Sequence, residues 1–145
     1  MSENKVRSTI RMIDEMGRGA SLEEMLKASQ PMQSIAQLIL PHLGDMSYET
    51  LGTLAGTSRA NVYKLMDGRS HPEQDVLLRI AFTLGMNVEE TQALLKSAHR
   101  SQLTSAIPRD VCLLYGLMNG LSLVEMDQVL EEKGMRPLWP QPKNE

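Results

Sequence analysis

The chain has 145 residues, 41% of them hydrophobic and only 3% aromatic, with Lys and Arg totalling 15 against 18 Asp and Glu. That length is one domain, or one domain with an extension, and its 11 Met point to an aliphatic, thioether-filled core. The net charge of −3 argues against a nucleic-acid binder, which ordinarily carries a basic surplus, and the single cysteine excludes an internal disulfide framework or a Cys-rich metal knuckle.

Helical spacing of apolar residues runs through the chain, and no useful stretch alternates in the manner of a strand. Val6, Ile10 and Ile13 predict an amphipathic helix over about 3–16, stopped by Gly17 and Gly19. Ser21 with Glu24 is a capping-box pattern, and Leu22, Met25 and Leu26 share one face of the short helix that follows, which ends near Ser29 to Pro31. A third helix is expected over about 32–42, with Ile35, Leu38 and Ile39 inward, and Pro41 should kink or end it. Ser47 caps a helix of about 48–55, Gly56 allows a sharp turn, Ser58 caps a helix of about 59–66, and Gly68 stops it.

Pro72 reads as the first residue of a further helix whose inner face is Val76, Leu77, Ile80 and Leu84, ending at Gly85. Asn87 with Glu90 repeats the capping box, with Val88, Leu94 and Leu95 continuing the core. Residues His99 to Ile107 read as a loop. Pro108 opens a helix with Val111, Leu114, Tyr115 and Met118 as its inner face, capped by Asn119-Gly120. Ser122 with Glu125 is another capping box, followed by Leu123, Met126, Val129 and Leu130 up to Gly134. The proline-rich tail is expected to fray after Trp139. The sum is an all-α chain of about eight helices.

Catalytic patterns are not apparent. His42, His71 and His99 are far apart and none has a metal-ligand spacing, GRGAS at 17–21 lacks the Lys-Ser/Thr of a phosphate loop, and Cys112 in DVCLLYG reads as a buried, inert thiol. No enzyme activity, metal or cofactor is expected. No apolar run approaches the ~18 residues that span a membrane, and the first thirty residues lack the apolar core of a signal peptide. A cytoplasmic protein without membrane association is the expectation.

The informative stretch is MSYETLGTLAGTSRANVYKLMDGRSHP, residues 46–72. Two short helices joined by a three- or four-residue turn with a glycine form the helix-turn-helix pattern. Leu51 and Leu54 can pack against Val62 and Leu65, while Gly52 and Ala55 are small enough for close approach. The stretch resembles the Cro and lambda-repressor superfamily of regulators. Ser47 stands at the helix cap, Leu51-Gly52 at the usual Leu-Ala position, Gly56 at the turn and Val62 at the buried β-branched position. Asp67-Gly68-Arg69 matches the acidic-Gly-basic exit, and Pro72 opens the next helix. LLRIAFTLGMNVEET resembles the two helices that follow, so the likeness covers about 33–98. RDVCLLYGLMNGLSLVEMDQVLEEKGMRPL resembles a C-terminal extension found on a subset of such regulators.

The resemblance implies a lambda-repressor-like helix-turn-helix domain of about five helices, with extra N- and C-terminal helices. The expected organisation is an N-terminal extension at 1–30, a DNA-binding domain at 31–98, a C-terminal helical hairpin at 99–139 and a disordered tail at 140–145. It further implies a sequence-specific transcription regulator, a repressor, that reads double-stranded DNA as a homodimer. Arg59, Ala60, Asn61, Tyr63 and Lys64 would meet base edges, Arg59 reading guanine and Asn61 adenine. Ser47, Tyr48, Ser58, Gly68 and Arg69 would hold phosphate, with His71 a weaker neighbour. The Leu123–Leu130 or the Val6–Ile13 helix would offer an apolar stripe for dimerisation or for a protein partner, the alternative being that both stripes simply close the core. The competing reading is a protein–protein adaptor that keeps the fold without strong DNA binding.

Charge can be divided along the chain. Residues 1–30 hold five basic and five acidic side chains and 94–145 hold six of each, so the deficit lies in 31–93, with four basic against seven acidic. Three of those four, Arg59, Lys64 and Arg69, fall at the second helix of the motif and its exit, with only Asp67 inside that window. A small basic patch on an acidic body is the expectation.

Overall fold

The computed structural model describes residues 2–29 and 31–142, with side chains from residue 9 onward apart from residue 30. The side chain of Val6 and tail residues 143–145, which figured in the expectations above, lie outside this description. Among the described residues there are nine α-helices and no strand: α1 (Ser2–Gly17), α2 (Leu22–Ala28), α3 (Ile35–Leu43), α4 (Tyr48–Leu54), α5 (Arg59–Met66), α6 (Gln74–Leu84), α7 (Val88–Ser97), α8 (Pro108–Met118) and α9 (Leu123–Glu132). None of these helices is long and apolar enough to cross a membrane. The chain forms two compact units, Met1–Met32 and Gln33–Glu145.

In the first unit, α2 starts at the predicted capping box, with the Glu24 amide donating to Ser21 Oγ at 3.2 Å and the Ser21 amide to Glu24 at 3.4 Å. The predicted common face of α2 does not close over. Met25 is buried, but Leu22 and Leu26 are exposed, as are Ile10, Ile13 and Met16 of α1.

In the second unit, α6 is the central element. Six consecutive residues from Leu77 to Phe82 are buried, so the helix is covered all round rather than on the single face predicted. Neighbours α4, α7 and α9 pack on it, and α3 packs on α5 and α7. Residues on both sides of position 98 share this core, including Ile39, Leu51, Val62 and Leu65 from the early helices and Leu113, Met126 and Leu130 from α8 and α9.

Several local expectations are corrected. The third helix begins at Ile35, not Met32, because Ser34 and Gln37 form a reciprocal capping box at 3.1 and 2.8 Å. Pro41 sits inside α3 without ending it. Pro41 and Gln37 are both exposed, so the helical hydrogen bond that the proline cannot donate is lost on the solvent-exposed side of α3. Pro72 is not the first residue of α6. Arg100 takes the Pro72 carbonyl at 2.8 Å and the His71 carbonyl at 2.9 Å, holding that segment outside the helix, which starts at Gln74. Cys112 is half-buried, with its thiol 3.7 Å from Met135 Sδ.

The inner face of α8 is displaced by one residue from the predicted one. Asp110, Leu113, Gly116 and Leu117 are buried, whereas Val111, Tyr115 and Met118 are exposed. Asp110 tolerates burial because its carboxylate accepts the Thr104 amide at 3.0 Å. A Cβ on Gly116 would run into Met126 Sδ, so the buried methionine would have to shift to admit a larger residue there. On α9, Leu123, Met126 and Leu130 are buried, so this predicted dimerisation stripe closes the core instead. The tail is anchored beyond α9: Leu138 is buried, and its amide and that of Trp139 donate to the Asp127 carboxylate at 2.6 and 3.0 Å.

Candidate nucleic-acid interface

Two short helices, α4 and α5, are joined by the turn Ala55–Ser58. Ser47 caps α4, accepting the Thr50 amide at 3.0 Å, and Ser58 caps α5, accepting the Asn61 amide at 3.0 Å. Between them the Gly56 amide donates to the Thr53 carbonyl at 3.4 Å and the Thr57 amide to the Gly52 carbonyl at 2.8 Å. This is a Schellman termination, and it requires the left-handed backbone that Gly56 adopts at φ 70°. Gly52 is buried at the crossing, where a Cβ would stand 3.1 Å from the Thr57 carbonyl oxygen and from the Ser58 carbonyl carbon. Small size at Gly52 therefore lets the start of α5 rest on α4.

On α5 the side chains divide cleanly. Val62, Leu65 and Met66 are buried, and Arg59, Ala60, Asn61, Tyr63 and Lys64 are all exposed. The five residues predicted for base edges thus share one solvent-facing surface. Arg59 lies over the Tyr63 ring, 5.3 Å from its centroid, and Tyr63 meets Tyr48 edge-on at 4.7 Å. Sequence reasoning did not find this stack, although Arg59 and Tyr63 are four apart on one helix, the spacing at which such pairs meet. Hydrogen bonding and charge interaction with Tyr63, with a smaller contribution from Glu49, hold the Arg59 pKa above the ordinary arginine value. The Asn61 carboxamide donates to Thr57 Oγ1 at 3.1 Å, which orients it across the first turn.

Of the residues predicted to hold phosphate, Ser47 and Ser58 are exposed but serve as helix caps, and the Ser47 hydroxyl also donates to Thr50 Oγ1 at 3.0 Å. Tyr48 is half-buried, its ring committed to Tyr63. The Gly68 amide donates to the Leu65 carbonyl at 3.2 Å within the termination of α5, so this N–H is already bonded. Arg69 is exposed and pairs with Asp67 at 2.9 Å. That solvent-exposed pair contributes little to stability and leaves the guanidinium able to exchange partners. His71 is exposed, with its carbonyl held by Arg100.

The charge window also changes. Glu49 lay outside it in sequence but interacts electrostatically with Arg59 across the turn. The fourth basic residue of the segment, Arg79, leaves the surface altogether. It is buried in α6, donating to the Ala55 carbonyl at 2.7 Å and the Leu138 carbonyl at 2.9 Å, and burial lowers its pKa against the pull of Asp75 and Asp127.

No family model matches the chain, nor does any curated protein or solved structure.

Proposed function

We propose that this chain is a sequence-specific DNA-binding regulator of transcription, a cytoplasmic repressor built on a lambda-repressor-like helix-turn-helix. One observation carries the reading: α5 exposes Arg59, Ala60, Asn61, Tyr63 and Lys64 together, on a short capped helix set at close approach on α4. The helix would enter the major groove with its N-terminal residues at the base edges. Arg59 presents a planar fork of donors suited to guanine O6 and N7, and its position over Tyr63 limits the rotamers it loses on binding. The Asn61 carboxamide suits adenine, and Tyr63 and Lys64 stand further along the same surface. Arg69, with the hydroxyls of Tyr48 and Ser58, would track phosphate, while the Gly68 amide and the Ser47 hydroxyl, already bonded within the protein, would have to exchange partners to join them. Two-fold pairing as a homodimer would double the bases read.

The test is duplex binding by the full chain at several salt concentrations. Affinity should fall with salt, and specific binding should exceed non-specific binding well beyond tenfold. Arg59→Ala should cost about 1–3 kcal/mol and relax preference at one base position. Unchanged binding in that variant sinks the assignment of α5 as the reading helix.

A second reading, a protein-binding adaptor, is favoured by a separate observation. Ile107, Val111, Tyr115 and Met118 form an exposed apolar stripe along the outer face of α8. Salt-independent behaviour and no duplex selection would decide for the adaptor.

A further inference from the structure

The segment after α9 is not a loose end. Leu138 is 1% exposed, and the two amides at Leu138 and Trp139 converge on the Asp127 carboxylate at 2.6 and 3.0 Å. From the other side Arg79 grips the Leu138 carbonyl at 2.9 Å. The same guanidinium reaches the Ala55 carbonyl at 2.7 Å, the residue at which α4 ends and the turn into α5 begins. Trp139 and Pro140 then lie against the turn itself: a Cβ on Gly56 would stand 2.9 Å from Pro140 Cδ and 3.1 Å from Trp139 Cζ3. An open cleft bordered by Glu73–Val76 and Arg136–Gln141 runs along the segment, while Leu138 itself belongs to the core.

A buried arginine without a carboxylate partner within 4 Å, among the described residues, is a costly choice for a core helix. Its hydrogen bonds do not tie α6 to a neighbouring helix side chain. They tie two backbone carbonyls together, one from the turn and one from the tail. The turn sets the direction in which α5 leaves α4, and among the described residues the Arg79 guanidinium is the donor that fixes the Ala55 carbonyl. We propose that Arg79 and Asp127 are positioning residues that clamp the segment Leu138–Pro140 as a strap on the α4–α5 turn, so that the aim of the base-reading helix depends on the strap being docked. The inference rests on the DNA-reading proposal for its consequence, but the clamp itself is a property of the free protein.

The experiment uses the full chain and two variants. Asp127→Asn leaves one acceptor oxygen where two amides converge, and Arg79→Lys keeps the charge but cannot span both carbonyls. Trp139 is the single tryptophan, so its emission reports the strap alone. Amide hydrogen exchange over 52–58 reports the turn, and α7 serves as the internal reference. In both variants the Trp139 emission should shift to the red, and exchange at the turn should rise about tenfold or more over any change in α7. For a duplex selected by the wild-type chain from a random pool, the ratio of specific to non-specific affinity should fall about tenfold while the salt slope stays the same, since no phosphate contact is removed. A released Trp139 with an unchanged turn overturns the proposal, as does an unshifted Trp139 or an equal loss of protection in the turn and α7. If the wild-type chain selects no duplex, the DNA reading fails, and the exchange comparison still decides the clamp.

Discussion

Gly56 and Gly68 form a natural pair for weighing the strap. Both hold left-handed backbone, at φ 70° and 73°, and both terminate a helix of the α4–α5 unit. An alanine at either position meets the same conformational penalty of about 1–2 kcal/mol, offset by the roughly 0.4–1 kcal/mol that a less flexible unfolded chain returns. Their surroundings differ. At Gly68 no heavy atom stands within 4 Å of the new Cβ, whereas at Gly56 Pro140 Cδ is at 2.9 Å, Trp139 Cζ3 at 3.1 Å and Pro140 Cγ at 3.2 Å. The first of these is closer than van der Waals contact allows, so the strap must move, at an overpacking cost of about 1–3 kcal/mol. Gly68→Ala should therefore cost about 1 kcal/mol and Gly56→Ala about 2–4 kcal/mol. Urea unfolding monitored by circular dichroism measures both, with stability read from midpoints at constant slope. Repeating the pair in a Trp139→Ala, Pro140→Ala background closes a double-mutant cycle, in which the excess at Gly56 should shrink to within about 0.5 kcal/mol of zero. Equal costs in the wild-type background, or an excess that persists without the two strap side chains, would refute the reasoning.

Two further outcomes follow from single side chains. Thr91 is fully buried and its hydroxyl has no hydrogen-bond partner among the described residues, so Thr91→Val, which keeps the shape, should raise stability by about 1 kcal/mol in the same urea assay, and a loss of stability would count against it. Glu125 accepts the Ser122 amide at 2.9 Å, and its interactions with the Ser122 backbone and side chain lower its pKa below 4.5. A lowered folded-state pKa adds stability that is present above the unfolded value and lost as pH falls through the folded one, so this contribution disappears only in acid below that range. Carboxyl titration by NMR should find the Glu125 midpoint below 4.5 and moved upward in Ser122→Ala, and a wild-type midpoint at or above 4.5 would contradict the bonding described.

Legibility followed the range of the interactions. The Ser21–Glu24, Asn87–Glu90 and Ser122–Glu125 boxes could be read because each is closed by residues three apart. Ser34–Gln37 has the same spacing with an amide in place of the acid, and apolar periodicity drew the helix start back to Met32 instead. Two of the errors elsewhere come from a polar side chain bonded to the backbone of another segment, six residues away in one case and 28 in the other. Asp110 looks like a surface residue until Thr104 is folded over it, which is why the buried face of α8 was displaced to Val111, Tyr115 and Met118. Pro72 reads as a helix start until Arg100 takes its carbonyl from 28 residues away. At the candidate interface, the outward set on α5 was legible because Val62 and Leu65 mark the inward side. The Tyr48–Tyr63 contact and the approach of Glu49 to Arg59 were not, since both depend on how the Gly56 turn folds α5 against α4.

The same distinction governs how the net charge of −3 bears on function. A sum over the sequence counts Arg79 as one of four basic residues in 31–93, yet its guanidinium is spent on two internal carbonyls and presents almost nothing to solvent. On the exposed surface of α5 and its exit stand Arg59, Lys64 and Arg69, opposed by Asp67 and by Glu49 through the fold. A footprint with so small a local surplus neutralises few phosphates, and each phosphate contact steepens the salt dependence by about one unit of slope. On the proposed DNA-reading function, affinity for a duplex would come from well-aimed base contacts and from pairing of two copies, not from charge. The energetic burden would then fall on the geometry of the α4–α5 turn, where a buried arginine bonds the Ala55 carbonyl, Gly56 holds left-handed backbone, and Trp139 and Pro140 pack close.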